Sequence, residues 1–230
     1  MSELSISPAQ TAFRNAERKQ ESWLAPLERR CLAWLAARVP SAVGPDHLTL
    51  LGFAALFLAG VSYAAARSWP PALLVVNLWL AVNWFGDSLD GTLARHRQRQ
   101  RPRYGFYVDH MVDSFGALFV IGGLAISGFA SERVAVALLV SFLLLSINSY
   151  LATYTRGTFH LSFWKFSPTE IRILLAVGNT VALWKPHVTV FGHAARFFDV
   201  GGIVAVIAMA VVLVHSVARH TAALYREEKI

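Results

Sequence analysis

The stretch GDSLDGTLARHRQRQRPRYGFYVDHMVDSFG, residues 86–116, decides how this chain folds. It sets four aspartates, Asp87, Asp90, Asp109 and Asp113, at the ends of two long apolar segments. Asp87 and Asp90 are three residues apart and Asp109 and Asp113 four apart, so on helices each pair shares a face. A short connection makes the two segments antiparallel neighbours and brings both pairs to one level. Four carboxylates gathered there repel one another and lose hydration unless a cation compensates. All-oxygen ligation favours a hard metal, Mg²⁺, Mn²⁺ or Ca²⁺, over zinc or copper. Four carboxylates can bridge two such ions roughly 3.5–4 Å apart, an arrangement used for in-line displacement at phosphorus.

The neighbouring residues suit phosphate chemistry. Gly91 and Ala94 remove bulk beside Asp90 and let a ligand approach the backbone. Arg95 offers a fork of donors matched to a phosphate. Gly105 loosens the chain just before the second pair. Arg97, Arg99, Arg101 and Arg103 of the intervening run read as topology and lipid-headgroup residues. His110 follows Asp109 by one position and so points to another helix face, as a packing or supporting residue.

Outward from this stretch the chain is apolar. Of 230 residues, 55% are hydrophobic and 15% charged, against about 25% charged in an ordinary soluble domain. The apolar residues fall in six blocks, 47–66, 71–94, 105–128, 134–154, 169–184 and 199–224. Most are near the roughly 20 residues a helix needs to cross a bilayer. The fifth is the shortest and contains Arg172. The expected fold is all-α, a polytopic membrane protein of six transmembrane helices preceded by an amphipathic interfacial helix. It divides into a cytoplasmic N-terminal segment (1–46), a six-helix catalytic domain (47–224) and a cytoplasmic tail (225–230). The polar start predicts no cleavable signal peptide, and a single cysteine, Cys31, excludes an internal disulfide.

Basic residues set the orientation. The segments 1–46, 95–104, 154–172 and 217–230 carry 17 of the 21 Lys and Arg, which places both termini and the aspartates on the cytoplasmic side. The net charge of +7 follows largely from this topology and calls for no nucleic-acid partner. Trp69 and Trp184 then fall at the outer interface and Trp164 at the inner one. In residues 22–39, Leu24, Leu27, Cys31, Leu35 and Val39 recur at helical spacing opposite Glu28, Arg29 and Arg38. Such a helix lies in the membrane interface or packs on the bundle.

The pattern Asp87-x-x-Asp90-Gly91-x-x-Ala94-Arg95, then Gly105-x-x-x-Asp109-x-x-x-Asp113, resembles the signature of the CDP-alcohol phosphotransferases (CDP-alcohol phosphatidyltransferases). All eight positions are present across 27 residues; the interval from Arg95 to Gly105 is nine residues where the pattern has eight. The resemblance implies an integral membrane enzyme of phospholipid biosynthesis in a bacterial-type inner or plasma membrane. It implies displacement of CMP from a CDP-linked donor by the hydroxyl of an acceptor alcohol. Asp87, Asp90, Asp109 and Asp113 would hold two divalent cations, Mg²⁺ or Mn²⁺, with Asp113 also the general base. Gly91, Ala94, Arg95 and Gly105 would serve the CDP donor. The resemblance further implies membrane-lipid contacts and a homodimer.

Two donor classes remain open within that resemblance. With CDP-diacylglycerol as donor, a phosphorylated acceptor would be held by Arg156, Lys165 and Arg172. Three segments, GPDHLTLLGF (44–53), Asp109-His110-x-x-Asp113-Ser114 and RGTFHLSFWKFSPTE (156–170), instead resemble the choline/ethanolamine phosphotransferase branch, whose acceptor is a lipid alcohol. His47 and Glu170 are further candidates for substrate contact. A cation transporter would spread its carboxylates through the bilayer or at its midplane, whereas all four aspartates here share one level.

Overall fold

The structure is a computed structural model and describes residues 25–156 and 168–228. Among these residues are seven helices and one hairpin: α1 (Ala25–Ala36), α2 (Pro45–Ala65), α3 (Ala72–His96), α4 (Pro102–Ile126), α5 (Glu132–Arg156), α6 (Pro168–Trp184), β1 (His187–Val190), β2 (His193–Arg196) and α7 (Phe197–Glu227). Each apolar block falls on one helix, α2 to α7. All but α6 are long and apolar enough to cross a membrane, five helices in all, which fits an integral membrane protein. The 17 residues of α6 span about 25 Å at 1.5 Å per residue, short of a hydrocarbon core of about 30 Å. Five helices therefore stand where six were expected on length and composition.

The fold is helical as expected, with one short hairpin that the sequence reading did not foresee. β1 and β2 pair antiparallel with Val190 opposite His193. Phe191 and Gly192, the two loop residues, have φ of 49° and 82°. Positive φ at both positions gives a turn whose twist matches the strands it joins.

Helix α1 turns one face to the bundle. Its buried residues are Ala25, Glu28, Leu32 and Ala36; of the expected apolar row, Leu35 and Val39 are partly buried against the same core, Leu27 stays 70% exposed, and Leu24 lies outside the described residues. Helix α1 packs on α3, and a charged residue sits on the buried face because three donors there satisfy it. Trp84 Nε1, Ser88 Oγ and Thr169 Oγ1 all donate to Glu28 Oε1.

Helix α2 is the template of the bundle, with α3 and α4 packed on it and almost no direct contact between those two. The antiparallel pair expected from the sequence is thus joined through a third helix. Glycines let the backbones meet. A Cβ on Gly86 of α3 would lie 2.6 Å from the Leu48 carbonyl oxygen and 2.7 Å from the Gly52 nitrogen. A Cβ on Gly123 of α4 would lie 2.7 Å from the Gly60 carbonyl carbon. Helix α6 packs on α3, α5 on α4, and α7 on α5.

Two apolar cores follow. One gathers Tyr63, Leu73, Val76, Leu124, Ala182 and Phe198 near the hairpin and closes the bundle at that end. The other joins Leu32, Leu48, Leu89 and Leu93 of α1, α2 and α3 at the aspartate end. The buried residues of α4 are Gly116, Gly123 and Leu124, all beyond its aspartates.

A polar chain crosses the first core. Tyr63 donates to Asn179 Oδ1 at 2.7 Å, Asn179 Nδ2 donates to Asn77 Oδ1 at 2.8 Å, and Asn77 Nδ2 donates to the Ala176 carbonyl at 3.1 Å. Removing the hydroxyl in Tyr63→Phe strands the buried Asn179 oxygen, an effect of roughly 1–2 kcal/mol given the modest worth of such bonds between apolar helices. At roughly 2–4 °C per kcal/mol, a thermal melt of the purified variant should fall by several degrees. An unchanged melting temperature would mean that Asn179 is satisfied without Tyr63.

Candidate active site

On α3, residues 83, 87, 90 and 94 recur at three and four positions, one face of a 3.6-residue helix. That face presents Asn83, Asp87, Asp90 and Ala94 together. On α4 the row Gly105, Asp109, Asp113 continues as Gly116 and Gly123, where the helix meets α2. The contacts with α2 therefore turn both carboxylate rows toward the same region. Asp87 and Asp109 lie close enough to Asp90 to interact with it electrostatically. Asp113 does the same with Tyr150 of α5.

The four carboxylates differ in exposure. Asp90 is buried, Asp87 and Asp109 are half-buried, and Asp113 is exposed. Asp90 Oδ2 accepts from Thr49 Oγ1 of α2 at 2.6 Å, and its other oxygen accepts from the Gly91 backbone N–H. Asp87 Oδ2 accepts from Arg172 Nη2 at 2.6 Å. The Arg172 Nε donates to Asn83 Oδ1 at 2.8 Å, and Asn83 Nδ2 donates to the Gly52 carbonyl at 3.0 Å. An arginine inside a short apolar helix is thus compensated by an anion and an amide, as a largely buried charge requires.

The oxygen donors fit a hard divalent cation. Among the described residues no three His, Cys, Asp or Glu side chains are grouped closely enough to share one ion. Asp87 and Asp90 turn instead to Arg172 and Thr49.

Of the residues expected to serve the donor, Gly91 leaves room for Arg95, whose guanidinium lies back along its own helix and donates to Thr92 Oγ1 at 3.1 Å. Gly105 is not a loosened joint. It stands in the first turn of α4, its N–H bonded to the Arg101 carbonyl at 2.8 Å, with open space on its Cα side. Of the expected acceptor residues, Arg172 reaches the aspartates. Arg156 ends α5, and Lys165 lies outside the described residues, as does Trp164. His110 packs between the Phe106 and Tyr150 rings, at centroid distances of 4.1 and 4.8 Å. His47 accepts from the Gly44 N–H at 3.0 Å at the start of α2.

Two of the four arginines assigned to lipid headgroups also hold the fold. Arg97 donates to the carbonyls of Val39, Pro40 and Val43, fixing the connection between α1 and α2. Arg101 pairs with Asp46, a hydrogen bond that raises the guanidinium above its ordinary pKa. Sequence reading missed Thr49, Asn83 and Glu28 as contributors to this end of the molecule. Asn83 carried a usable signal, being an amide in the middle of an apolar segment.

A family model described as CDP-alcohol phosphatidyltransferase matches residues 42–218. An archaetidylinositol phosphate synthase of Pyrococcus horikoshii is 31% identical over 133 residues, covering 57% of this chain and 61% of the relative. One from Methanothermobacter thermautotrophicus is 31% identical over 121 residues, 53% of this chain and 58% of the relative. The chain thus spans about three fifths of the length of these curated relatives. Among solved structures, the phosphatidylinositol phosphate synthase of Mycobacterium tuberculosis with CDP-DAG bound aligns at a TM-score of 0.61 and 19% identity. That alignment covers 83% of this chain and 94% of the other, a likeness of fold. The matched region takes in α2 through most of α7 and all eight signature positions, and the chain belongs to the CDP-alcohol phosphatidyltransferase family.

Proposed function

We propose that this chain is a membrane transferase of phospholipid biosynthesis that moves a phosphatidyl-type group from CDP-diacylglycerol, or a lipid like it, to a phosphorylated alcohol. The observation that carries the reading is the convergence of the two carboxylate rows with Arg172, an anion-binding side chain bonded directly to Asp87. Donor and acceptor class are supported by the names of the relatives, archaetidylinositol phosphate synthases, and by the CDP-DAG bound in the neighbouring structure.

In the reaction a bond forms between the acceptor oxygen and the β-phosphorus of the donor, and the bond from that phosphorus to CMP breaks. CMP leaves with the electron pair on its phosphate oxygen. Asp113 takes the acceptor's hydroxyl proton, a role suited to the exposed member of the set. Arg95 contacts the diphosphate, and Gly91 and Ala94 leave space for the cytidine. Arg172 holds the acceptor's phosphate, aided by Arg156 and Lys165. Asp87, Asp90, Asp109 and Asp113 would hold two divalent cations, Mg²⁺ or Mn²⁺, which neutralise charge on the diphosphate and its leaving oxygen. Loading requires Asp87 and Asp90 to share or release their present partners.

The same reading places six spans in the membrane, α6 included, with both termini and the aspartates cytoplasmic. The bias of basic residues supports it, 17 of 21 falling on one side. Residues 1–46, 47–224 and 225–230 are then the N-terminal segment, catalytic unit and tail, and a homodimer is the assembly. Protease access to tagged termini in sealed vesicles of each orientation tests the topology, and protection of both from the cytoplasmic side would refute it.

The decisive assay follows CMP release by the purified full chain in lipid–detergent micelles with Mg²⁺. CDP-diacylglycerol is offered with inositol phosphate, glycerol 3-phosphate, inositol or serine; CDP-choline and CDP-ethanolamine are offered with diacylglycerol. CMP is expected with CDP-diacylglycerol and a phosphorylated alcohol, and EDTA should stop it. Release only from CDP-choline or CDP-ethanolamine would reverse the donor, and release undiminished by EDTA would remove the cations.

A further inference from the structure

Glu28 is a charged residue that the transfer chemistry does not use, yet it is only 9% exposed. One of its oxygens, Oε1, accepts from Trp84 Nε1 at 2.8 Å, Ser88 Oγ at 3.3 Å and Thr169 Oγ1 at 2.7 Å. Those donors come from two helices. Trp84 and Ser88 stand one turn apart on α3 and bracket Asp87. Thr169 lies in the first turn of α6, three residues before Arg172. The Arg172 guanidinium in turn bonds Asp87 and Asn83.

Helices α3 and α6 are therefore tied twice at the aspartate end, through Glu28 and through Arg172. Apolar packing alone would not need a carboxylate here, since Leu32 and Ala36 already fill the same face of α1. A buried carboxylate is tolerated only where donors replace its water, and bonds to an ion are shorter and more directional than neutral ones.

We propose that Glu28 is a positioning residue for phosphoryl-group transfer. It fixes the first turn of α6 against the turn of α3 that carries Asp87, and so sets where the Arg172 guanidinium stands relative to the carboxylates. The proposal rests on the transferase reading above.

The test compares wild type, Glu28→Gln, Glu28→Leu, Arg172→Lys and the Glu28→Leu/Arg172→Lys double variant, each as the full chain. Hydrogen exchange is read by peptide, and CMP release gives separate KM values for the CDP donor and the phosphorylated acceptor. Glu28→Leu should speed exchange in the first two turns of α6 by roughly tenfold, with α7 unchanged. It should raise the acceptor KM by roughly tenfold while leaving the donor KM within about twofold. Glu28→Gln keeps an acceptor oxygen and should recover most of both effects, and it remains informative if the leucine variant does not fold. The double variant should be no worse than Arg172→Lys alone, because both act through one guanidinium. Unchanged exchange in α6 overturns the proposal, as do faster exchange with both KM values at wild type and full additivity in the double variant. A wild type that releases no CMP from any pair sinks the transferase reading and the kinetic role with it; the exchange data then decide the helix tie alone.

Discussion

Asp113→Asn is expected to cut CMP release at least roughly 100-fold, within the range that a positioned general base contributes, while the protein folds and still takes up the CDP-linked lipid. Asparagine copies the shape of aspartate and keeps one carbonyl oxygen, but it cannot accept the acceptor's proton. The position is exposed on α4, and substitutions at exposed sites usually shift stability by no more than about 0.5 kcal/mol. The melting temperature should therefore match wild type, and lipid binding should persist. If the variant released CMP within a few-fold of the wild-type rate, Asp113 would not be the base.

The second large effect concerns packing. Gly122 and Gly123 are adjacent on α4 and face different surroundings. A Cβ at Gly122 meets nothing within 4 Å, whereas one at Gly123 collides with the Gly60 backbone, its Cα 2.8 Å away. No rotamer relieves a clash between a Cβ and a backbone. Gly123→Ala should lose about 2–3 kcal/mol, the upper part of the range for overpacking, and lose activity as α4 is pushed from α2. Gly122→Ala should melt at or above the wild-type temperature, since alanine is favoured over glycine in a helix interior by up to about 1 kcal/mol. Equal melting temperatures for the two variants would contradict the backbone contact between α2 and α4.

The helices and the aspartate rows were legible in the sequence for a physical reason. Apolar length and three- or four-residue spacing are local properties, and each of the six blocks matches a helix to within a few residues. What was not legible was which helix lies between which. The α3 and α4 aspartates lie in one short stretch and their helices read as packed neighbours, yet the two helices are joined through α2 because Gly52, Gly60, Gly86 and Gly123 admit backbone contact. In a helix that is apolar all round, the period does not reveal the packed face. The same limit hid the role of Glu28. An acidic residue among arginines reads as solvent-facing, and the distant Trp84, Ser88 and Thr169 make its burial tolerable. The second role of Arg97 was hidden for the mirror-image reason: its partners are backbone carbonyls, which every residue carries and no sequence pattern marks. The hairpin rests on Phe191 taking positive φ, which a bulky side chain does not advertise.

The buried residues of α4 are confined to one half of the helix, so its carboxylate row stands apart from its tightest contact. Its tightest contact, at Gly123, is 14 residues from Asp109, about 21 Å along the axis at 1.5 Å per residue. A tilt of about 5° at that contact would carry Asp109 by about 1.8 Å on the same geometry, enough to change how closely its carboxylate approaches Asp90. The α3 carboxylates stand at no such distance, since Gly86 meets α2 immediately beside them. One carboxylate row is rooted in a backbone contact beside it; the other stands away from its tightest contact and is steadied nearer by Gly116 against Leu56 and His110 against Tyr150.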